Sequence, residues 1–141
     1  MNPPTTLISN SEGVKSCWSK IIKAKGKNNF VGTFYQSMFE YHPEIQALFP
    51  QNLKSQKESL ITTLDNVING IEFIDTLEEE LYALGERHIS YGIKAEMFED
   101  FISIIVSTAD EASDYTASKD ELAAWEEAFR QISNLMLKAY K

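Results

Sequence analysis

The chain contains two histidines and one cysteine, and one of the histidines closes an apolar stripe. The members of that stripe, spaced by four, three and four residues, are Leu77, Leu81, Leu84 and His88. Those spacings place all four side chains on one face of a helix. A structural zinc site takes about four nitrogen or sulfur ligands, more than His42, His88 and Cys17 supply. His88 is therefore either a core histidine hydrogen-bonded to a neighbour or a metal ligand.

The composition is that of a globular domain with an acidic surface. The 141 residues are 43% hydrophobic and carry a net charge of −8, which disfavours nucleic acids and anionic membranes as partners. The sequence contains no run of about 18 apolar residues, so no membrane span is predicted, and the N-terminus lacks the pattern of a signal peptide. We expect a lead-in over residues 1–10, one domain over 11–141, and a cytoplasmic protein without an intramolecular disulfide.

Hydrophobic periodicity near 3.6 runs through almost the whole chain and predicts an all-α fold. Ser11 is expected to cap the first helix and Asn28 or Asn29 the second, whereas Ser118 and Glu121 form a capping box for the last. Pro43 opens a short helix, because proline suits the first helical position. Six substantial helices and one short helix are predicted, at 11–26, 28–42, 43–49, 53–70, 75–92, 95–112 and 118–140.

The segment FYQSMFEYHPEIQALF, residues 34–49, resembles the globin family. In many globins a phenylalanine-rich second helix is followed by a proline that opens the third helix and by a phenylalanine that packs flat on the haem. Pro43 and Phe49 match those two residues. His88, followed by Gly92 and Ile93, is similar to the family's proximal histidine and the turn after it. The resemblance covers about residues 14–140 and is strongest to bacterial single-domain haemoglobins and the globin part of flavohaemoglobins.

The resemblance implies a pocket for haem b (iron protoporphyrin IX), with His88 as the proximal iron ligand. Arg87 would pair with a haem propionate or, equally well, be a solvated arginine. The residues expected to pack on the porphyrin are Phe49, Leu53, Leu84, Ile93 and Phe98.

On the distal side the resemblance places Tyr35 over the iron, with Gln56 at the usual position of the distal histidine and Leu60 one turn later. A shift of one turn would bring Asn52 to the site instead of Gln56. The alternatives are a core aromatic for Tyr35 and a surface residue for Gln56. His42 is expected to be exposed and not a ligand. Lys54 and Lys57 are expected to face solvent, and a lysine as sixth ligand is a minor option.

These residues imply a function in binding dioxygen and other diatomic gases at a five-coordinate ferrous iron. Dioxygen bound there is partly charged, and a phenol and an amide can both donate hydrogen bonds to it. Nitric oxide dioxygenation is also implied, with an external reductase because the chain ends at Lys141 without a flavin domain. A different class stays open: a globin-fold sensor or interaction domain that either reports ligand state or carries no haem.

One departure from the flavohaemoglobin pattern concerns the proximal side. Those proteins usually carry a tyrosine about ten residues beyond the proximal histidine, linked to a glutamate in the last helix. Phe98 and Tyr140 stand at the corresponding positions here. We therefore expect His88 to be less imidazolate-like, which weakens the case for peroxidase-type or dioxygenase chemistry.

Overall fold

The computed structural model describes residues 8–140 as seven α-helices and two short 3₁₀ segments. Six helices are long and one is short, and no strand occurs within residues 8–140, which confirms the all-α prediction. In chain order the helices are α1 (Ser11–Ala24), α2 (Lys27–Tyr41), α3 (Pro43–Gln46), α4 (Lys54–Asn69), α5 (Glu78–Tyr91), α6 (Phe98–Ala112) and α7 (Lys119–Leu137).

The predicted starts of α3 at Pro43 and of α7 after Ser118 were correct, whereas the predicted caps of α1 and α2 were not. Ser118 and Glu121 form the predicted capping box at the start of α7. Helix α1 is capped by Asn10 rather than Ser11, because the Asn10 side-chain oxygen accepts the Gly13 N–H at 2.9 Å. The prediction of Asn28 or Asn29 as the cap of α2 was wrong. That helix begins directly after Gly26, whose φ of 88° turns the chain without a side-chain cap.

Two 3₁₀ segments replace the first turns that the periodicity assigned to α-helices. The segment Ile71–Leu77 precedes α5, and Ala95–Met97 precedes α6. Within the first, Phe73 has non-helical backbone angles and a side chain that is 65% exposed, whereas Ile71 and Ile74 are buried. The burial of both isoleucines sets this backbone, so α5 begins at Glu78 rather than near residue 75.

The base of the core is an aromatic cluster that joins α1, α2, α6 and α7. Trp125 is fully buried and donates its indole N–H to the Ile105 carbonyl at 3.1 Å. Trp18 stacks on Trp125 at 5.9 Å between ring centroids, and Phe30 meets both rings edge-on. Buried aromatic pairs of this kind contribute about 0.5–1.5 kcal/mol beyond the area they bury. This cluster holds α1, α2, α6 and α7 together.

Helix α5 lies backbone to backbone against α7. A Cβ atom at Gly85 would be 2.2 Å from the Met136 carbonyl oxygen, so only glycine permits this approach. Gly92, with φ of 92°, ends α5 in the left-handed conformation, as its position predicted. Gly85 therefore allows α5 to approach α7 closely, and Gly92 ends the helix.

The predicted lead-in lies mostly outside the described residues, since the structure describes only residues 8–10 of it. Ile8 is buried, and the Ser9 N–H and hydroxyl both donate to Glu127 on α7. Among residues 8–140, no helix combines the length and the apolar character that a membrane crossing requires.

Candidate functional site

A cavity of about 340 Å³ lies between α2, α4, α5, α6 and α7. All but one of the residues predicted to form the pocket line it: Tyr35, Phe49, Gln56, Leu60, Leu84, Arg87, His88, Ile93 and Phe98. Leu53 is the exception, because it precedes the first turn of α4 and packs on the neighbouring core instead. We call the side formed by α5 and the start of α6 the proximal wall, and the side formed by α2 and α4 the distal wall.

His88 stands in the last turn of α5 with its ring held by its own helix. Its Nδ1 lies 2.8 Å from the Leu84 carbonyl oxygen, and a carbonyl can only accept, so Nδ1 carries the proton and donates. Burial lowers the pKa of His88, assisted by the positive charge of Arg87 and opposed by the bond to Leu84. The imidazole is therefore neutral at pH 7, with the lone pair on Nε2, which is the form that binds a metal.

Aromatic rings rather than carboxylates surround His88. The Phe98 ring centroid is 6.3 Å from the His88 centroid, and Phe98 meets Tyr140 edge-on at 5.5 Å. The Tyr140 hydroxyl donates to the Ile93 carbonyl at 2.9 Å. Within residues 8–140, the Leu84 carbonyl is the hydrogen-bond partner of His88, and no carboxylate bonds its ring. This arrangement agrees with the expected departure from the flavohaemoglobin pattern.

Tyr35 lies on the distal wall, 9% exposed, among other aromatic rings. Its ring centroid is 5.7 Å from that of Phe49 and 6.0 Å from that of Phe39. Burial, with a smaller contribution from Tyr91, raises the pKa of Tyr35 to about 12. The phenol is thus protonated, and no hydrogen-bond partner for it occurs within residues 8–140. A protonated phenol without a hydrogen-bond partner at the cavity wall is a donor available to a ligand in the cavity.

Gln56 lines the same wall with its side-chain carbonyl oxygen buried and without a hydrogen-bond partner among the described residues. A buried amide oxygen without a partner costs about 1–3 kcal/mol, and such groups in native proteins often mark a site for a ligand or water. Asn52, the alternative, lies outside the cavity, where its oxygen accepts the Lys54 N–H at 2.9 Å. Lys54 and Lys57 do not line the cavity either.

The mouth of the cavity is partly cationic and partly apolar. Arg87 is exposed there and makes no ion pair with any residue in the described part of the chain. Leu48 and Tyr91, 46% and 51% exposed, complete this rim. The rim thus offers one positive charge beside apolar surface.

His42, predicted to be exposed, is half-buried instead, because it bonds Asp100 on α6. It does not line the cavity.

Several lining residues were missed as members of the site because periodicity identified them only as core. They lie on the inner faces of α6 and α7, and they include Phe101, Ile105, Phe129, Ile132 and Met136. Ser133, which belongs to no apolar stripe, was missed as well. Periodicity tells which side of a helix is buried, and it does not tell which buried residues border an internal space.

Comparison with known proteins agrees with this geometry. A family model described as Globin matches residues 32–136. A flavohemoprotein from Halalkalibacterium halodurans is 29% identical over 111 residues, which cover 77% of this chain and 27% of that protein. The chain therefore spans only about a quarter of the length of that relative.

Two solved structures share the fold. A bacterial globin from Campylobacter jejuni superposes with a TM-score of 0.77 at 19% identity, covering 93% of this chain and 96% of that one. An engineered carbene transferase, a candidate nitric oxide dioxygenase, from Rhodothermus marinus has a TM-score of 0.79 at 18% identity, covering 99% and 94%.

Proposed function

Because this chain belongs to the globin family, we propose that it holds haem b in the cavity and binds dioxygen and other diatomic gases reversibly at the ferrous iron. The cavity fits such a cofactor in its donor set and in its walls. It offers one neutral imidazole on the proximal wall, apolar and aromatic surface around it, and one unpaired cation at the mouth. A haem would need a nitrogen ligand for its iron, apolar surface for the porphyrin face and a cation for its propionates.

The observation that carries the proposal is the Gln56 carboxamide on the distal wall, whose carbonyl oxygen is buried without a hydrogen-bond partner among the described residues. The Tyr35 side chain lines the same cavity, and its hydroxyl makes no hydrogen bond within residues 8–140. The phenol O–H and the amide N–H₂ are donors for which a gas ligand bound in the cavity would be an acceptor. A bound iron porphyrin would supply the redox-active metal at which a diatomic gas coordinates.

The chain's own residues have separate parts in this proposal. His88, oriented by Leu84, would present Nε2 to the iron from below. Tyr35 would donate a hydrogen bond to the partly negative ligand, and the Gln56 amide N–H₂ would add a second donor after rotation of the carboxamide. Phe49 and Phe98 would pack on the porphyrin and keep water out. Arg87 would pair with a propionate at the mouth.

We further propose that nitric oxide dioxygenation, with an external electron-donating reductase, is secondary to gas binding. The flavohaemoglobin pattern would place a hydrogen-bonded tyrosine and a glutamate behind the proximal histidine. Here the ring of His88 bonds one neutral backbone carbonyl and packs against Phe98. A neutral acceptor draws less electron density toward the metal-binding nitrogen than a carboxylate does, so His88 would activate a bound ligand less strongly.

Spectroscopy of the protein reconstituted with haemin tests the proposal. We expect stoichiometric uptake, a Soret band, and ferrous spectra that change reversibly with dioxygen and with carbon monoxide. A chain that takes up no haemin at micromolar concentration would instead favour a haem-free sensor or interaction domain. Nitric oxide consumption by the oxygenated protein, measured with and without a flavin reductase, then decides whether dioxygenation accompanies binding.

A further inference from the structure

Helix α4 carries Gln56 in its first half and is held by contacts of its second half. Its buried residues, Leu64, Val67 and Ile68, all lie in that second half, and no side chain caps the start of the helix. The helix contains no aromatic residue, so it takes no part in the aromatic cluster that joins α1, α2, α6 and α7. The position of Gln56 therefore depends on what fixes the half that follows it.

One carboxylate in the second half links α4 to two other helices. Asp65 accepts the Trp18 indole N–H from α1 on one oxygen, at 3.0 Å, and the Lys27 ammonium from the first turn of α2 on the other, at 2.7 Å. Within residues 8–140, these are the only side-chain hydrogen bonds that join α4 to another helix. Trp18 is 6% exposed and stacks on Trp125, so the bond to its indole ties α4 to the centre of the core.

Asp65 and Gln56 lie on opposite faces of the same helix. Nine residues separate them, and at about 100° per residue their directions differ by half a turn. Apolar packing is non-directional and leaves a helix free to rotate by small angles, whereas a hydrogen bond has a preferred length and angle. A bond on the face opposite Gln56 therefore fixes the direction in which Gln56 points.

Small rotations of α4 matter at the cavity because a donor must meet a ligand within a narrow range of distance. Side-chain ends lie about 5–6 Å from a helix axis, so a rotation of about 20° would move the Gln56 amide by about 2 Å. A displacement of that size breaks a hydrogen bond, whose length varies by only about 0.5 Å. Within residues 8–140, no hydrogen bond of its own holds the Gln56 carboxamide in place.

We propose that Asp65 is a positioning residue for the distal wall: its hydrogen bond to Trp18 fixes the rotation of α4 and so directs the Gln56 amide at the gas ligand. This inference rests on the proposed function, since a gas ligand is what the amide would meet. The two links of Asp65 contribute unequally. Lys27 and Asp65 are 35% and 37% exposed, so solvent screens their ion pair, whereas the indole lies in the core.

Dissociation of dioxygen and of carbon monoxide from the reconstituted ferrous protein tests the inference. Asp65→Ala removes both links and should speed dioxygen dissociation about two- to fivefold, which is less than the effect of Gln56→Leu because the amide is displaced rather than removed. Carbon monoxide dissociation should stay near the wild-type rate, since its distal atom carries little charge. Trp18→Phe removes the same bond from the donor side and should act in the same direction.

Two further variants separate positioning from a change in charge. Asp65→Asn keeps an oxygen for the indole and loses only the bond to Lys27, so it should restore a rate near that of wild type. Glu72→Ala is the matched control: it removes a carboxylate that pairs with Lys15 at 2.6 Å and is 43% exposed, in the 3₁₀ segment after α4. It should leave both dissociation rates unchanged.

The sharpest measurement combines Asp65→Ala with Gln56→Leu. If Asp65 acts through the amide, the double variant should release dioxygen at the Gln56→Leu rate, because no amide is left to be displaced. A general loosening of the pocket would instead add to the effect of Gln56→Leu and would speed the release of both gases.

A second readout does not depend on gas binding. In the carbon monoxide complex, or in the chain as purified if it takes up no haem, the side-chain amide resonances of Gln56 are identified by their loss in Gln56→Leu. They should shift in Asp65→Ala and keep their place in Glu72→Ala. If wild type takes up no haem, the proposed function fails and these resonances alone decide the inference. Unmoved resonances, equal changes for the two gases, the same changes in Glu72→Ala, or an Asp65→Ala effect that persists beside Gln56→Leu would overturn it.

Discussion

On the proximal wall, the His88 Nδ1–H donates to the Leu84 carbonyl at 2.8 Å, and behind this wall the Tyr140 hydroxyl donates to the Ile93 carbonyl at 2.9 Å. On the distal wall, within residues 8–140, the buried Gln56 carbonyl oxygen has no partner and the Tyr35 hydroxyl makes no hydrogen bond. The two sides carry polar groups but differ in whether the fold gives those groups hydrogen-bond partners. Satisfied groups orient a side chain, whereas unsatisfied ones are left for a ligand. If the proposed function holds, the proximal wall would orient the cofactor and the distal wall would recognise the gas.

The largest effect is expected from removing the oriented ligand itself. His88→Ala should abolish stable haem binding, because the proximal wall offers no other nitrogen ligand among its described residues. Haemin titration followed at the Soret band measures this, and added imidazole should restore binding in the vacated space. His42→Ala, which removes the other histidine, should keep the Soret band. If His88→Ala retained haem with an unchanged ferrous spectrum, His88 would not be the iron ligand.

A large but graded effect is expected from the distal donors. A hydrogen bond to a charged group contributes about 1.5–3 kcal/mol, so Tyr35→Phe should speed dioxygen dissociation by roughly 10- to 100-fold. Gln56→Leu should act in the same direction but less, because an amide is the weaker donor. Stopped-flow dissociation rates measure both variants, and the double variant need not show the sum of the two effects.

Carbon monoxide provides the control for that measurement, since its distal atom carries little charge. Its dissociation rate should change much less than that of dioxygen in both variants. Equal changes for the two gases would mean that the pocket had merely loosened, and Tyr35 would then be a core aromatic.

A smaller effect is expected from Tyr140, whose hydroxyl is hydrogen-bonded behind the proximal wall. Tyr140→Phe removes the bond to the Ile93 carbonyl and should lower the free energy of unfolding by about 0.5–1.5 kcal/mol. Urea unfolding measures the loss. Dioxygen dissociation should stay near the wild-type rate, and a change as large as that of Tyr35→Phe would erase the proposed division between the walls.

The smallest effect is expected from pH acting on Tyr35. Burial raises the pKa of this phenol to about 12, so it keeps its proton and remains a donor as pH rises above the ordinary value of 10. The dioxygen dissociation rate should therefore stay constant from pH 7 to about pH 10. If the dioxygen dissociation rate rises in that pH range in wild type but not in Tyr35→Phe, the phenol ionises at a lower pH than its burial implies.

The sequence by itself determined the helical class, with six long helices and one short one. The family resemblance proposed ten pocket residues, nine of which line the cavity. Periodicity suffices for the class because each long helix keeps an apolar stripe. The capping box at Ser118 and the helix end at Gly92 were also predicted, because both depend on residues close together in the chain. His88 needed the family resemblance as well, because a leucine stripe ending in histidine is compatible with an ordinary core.

Only the tertiary structure decided which buried residues face the cavity and which polar groups the fold satisfies. Leu53 shares the stripe of α4 but packs on the neighbouring core, because the helix begins one residue later. His42 is adjacent to an exposed turn in sequence, yet it meets Asp100 from 58 residues away. Gly85 taken by itself would only destabilise its helix, but α7 packs so closely against it that no larger residue fits. Contacts between residues so distant along the chain depend on how the helices pack, and no local pattern encodes them.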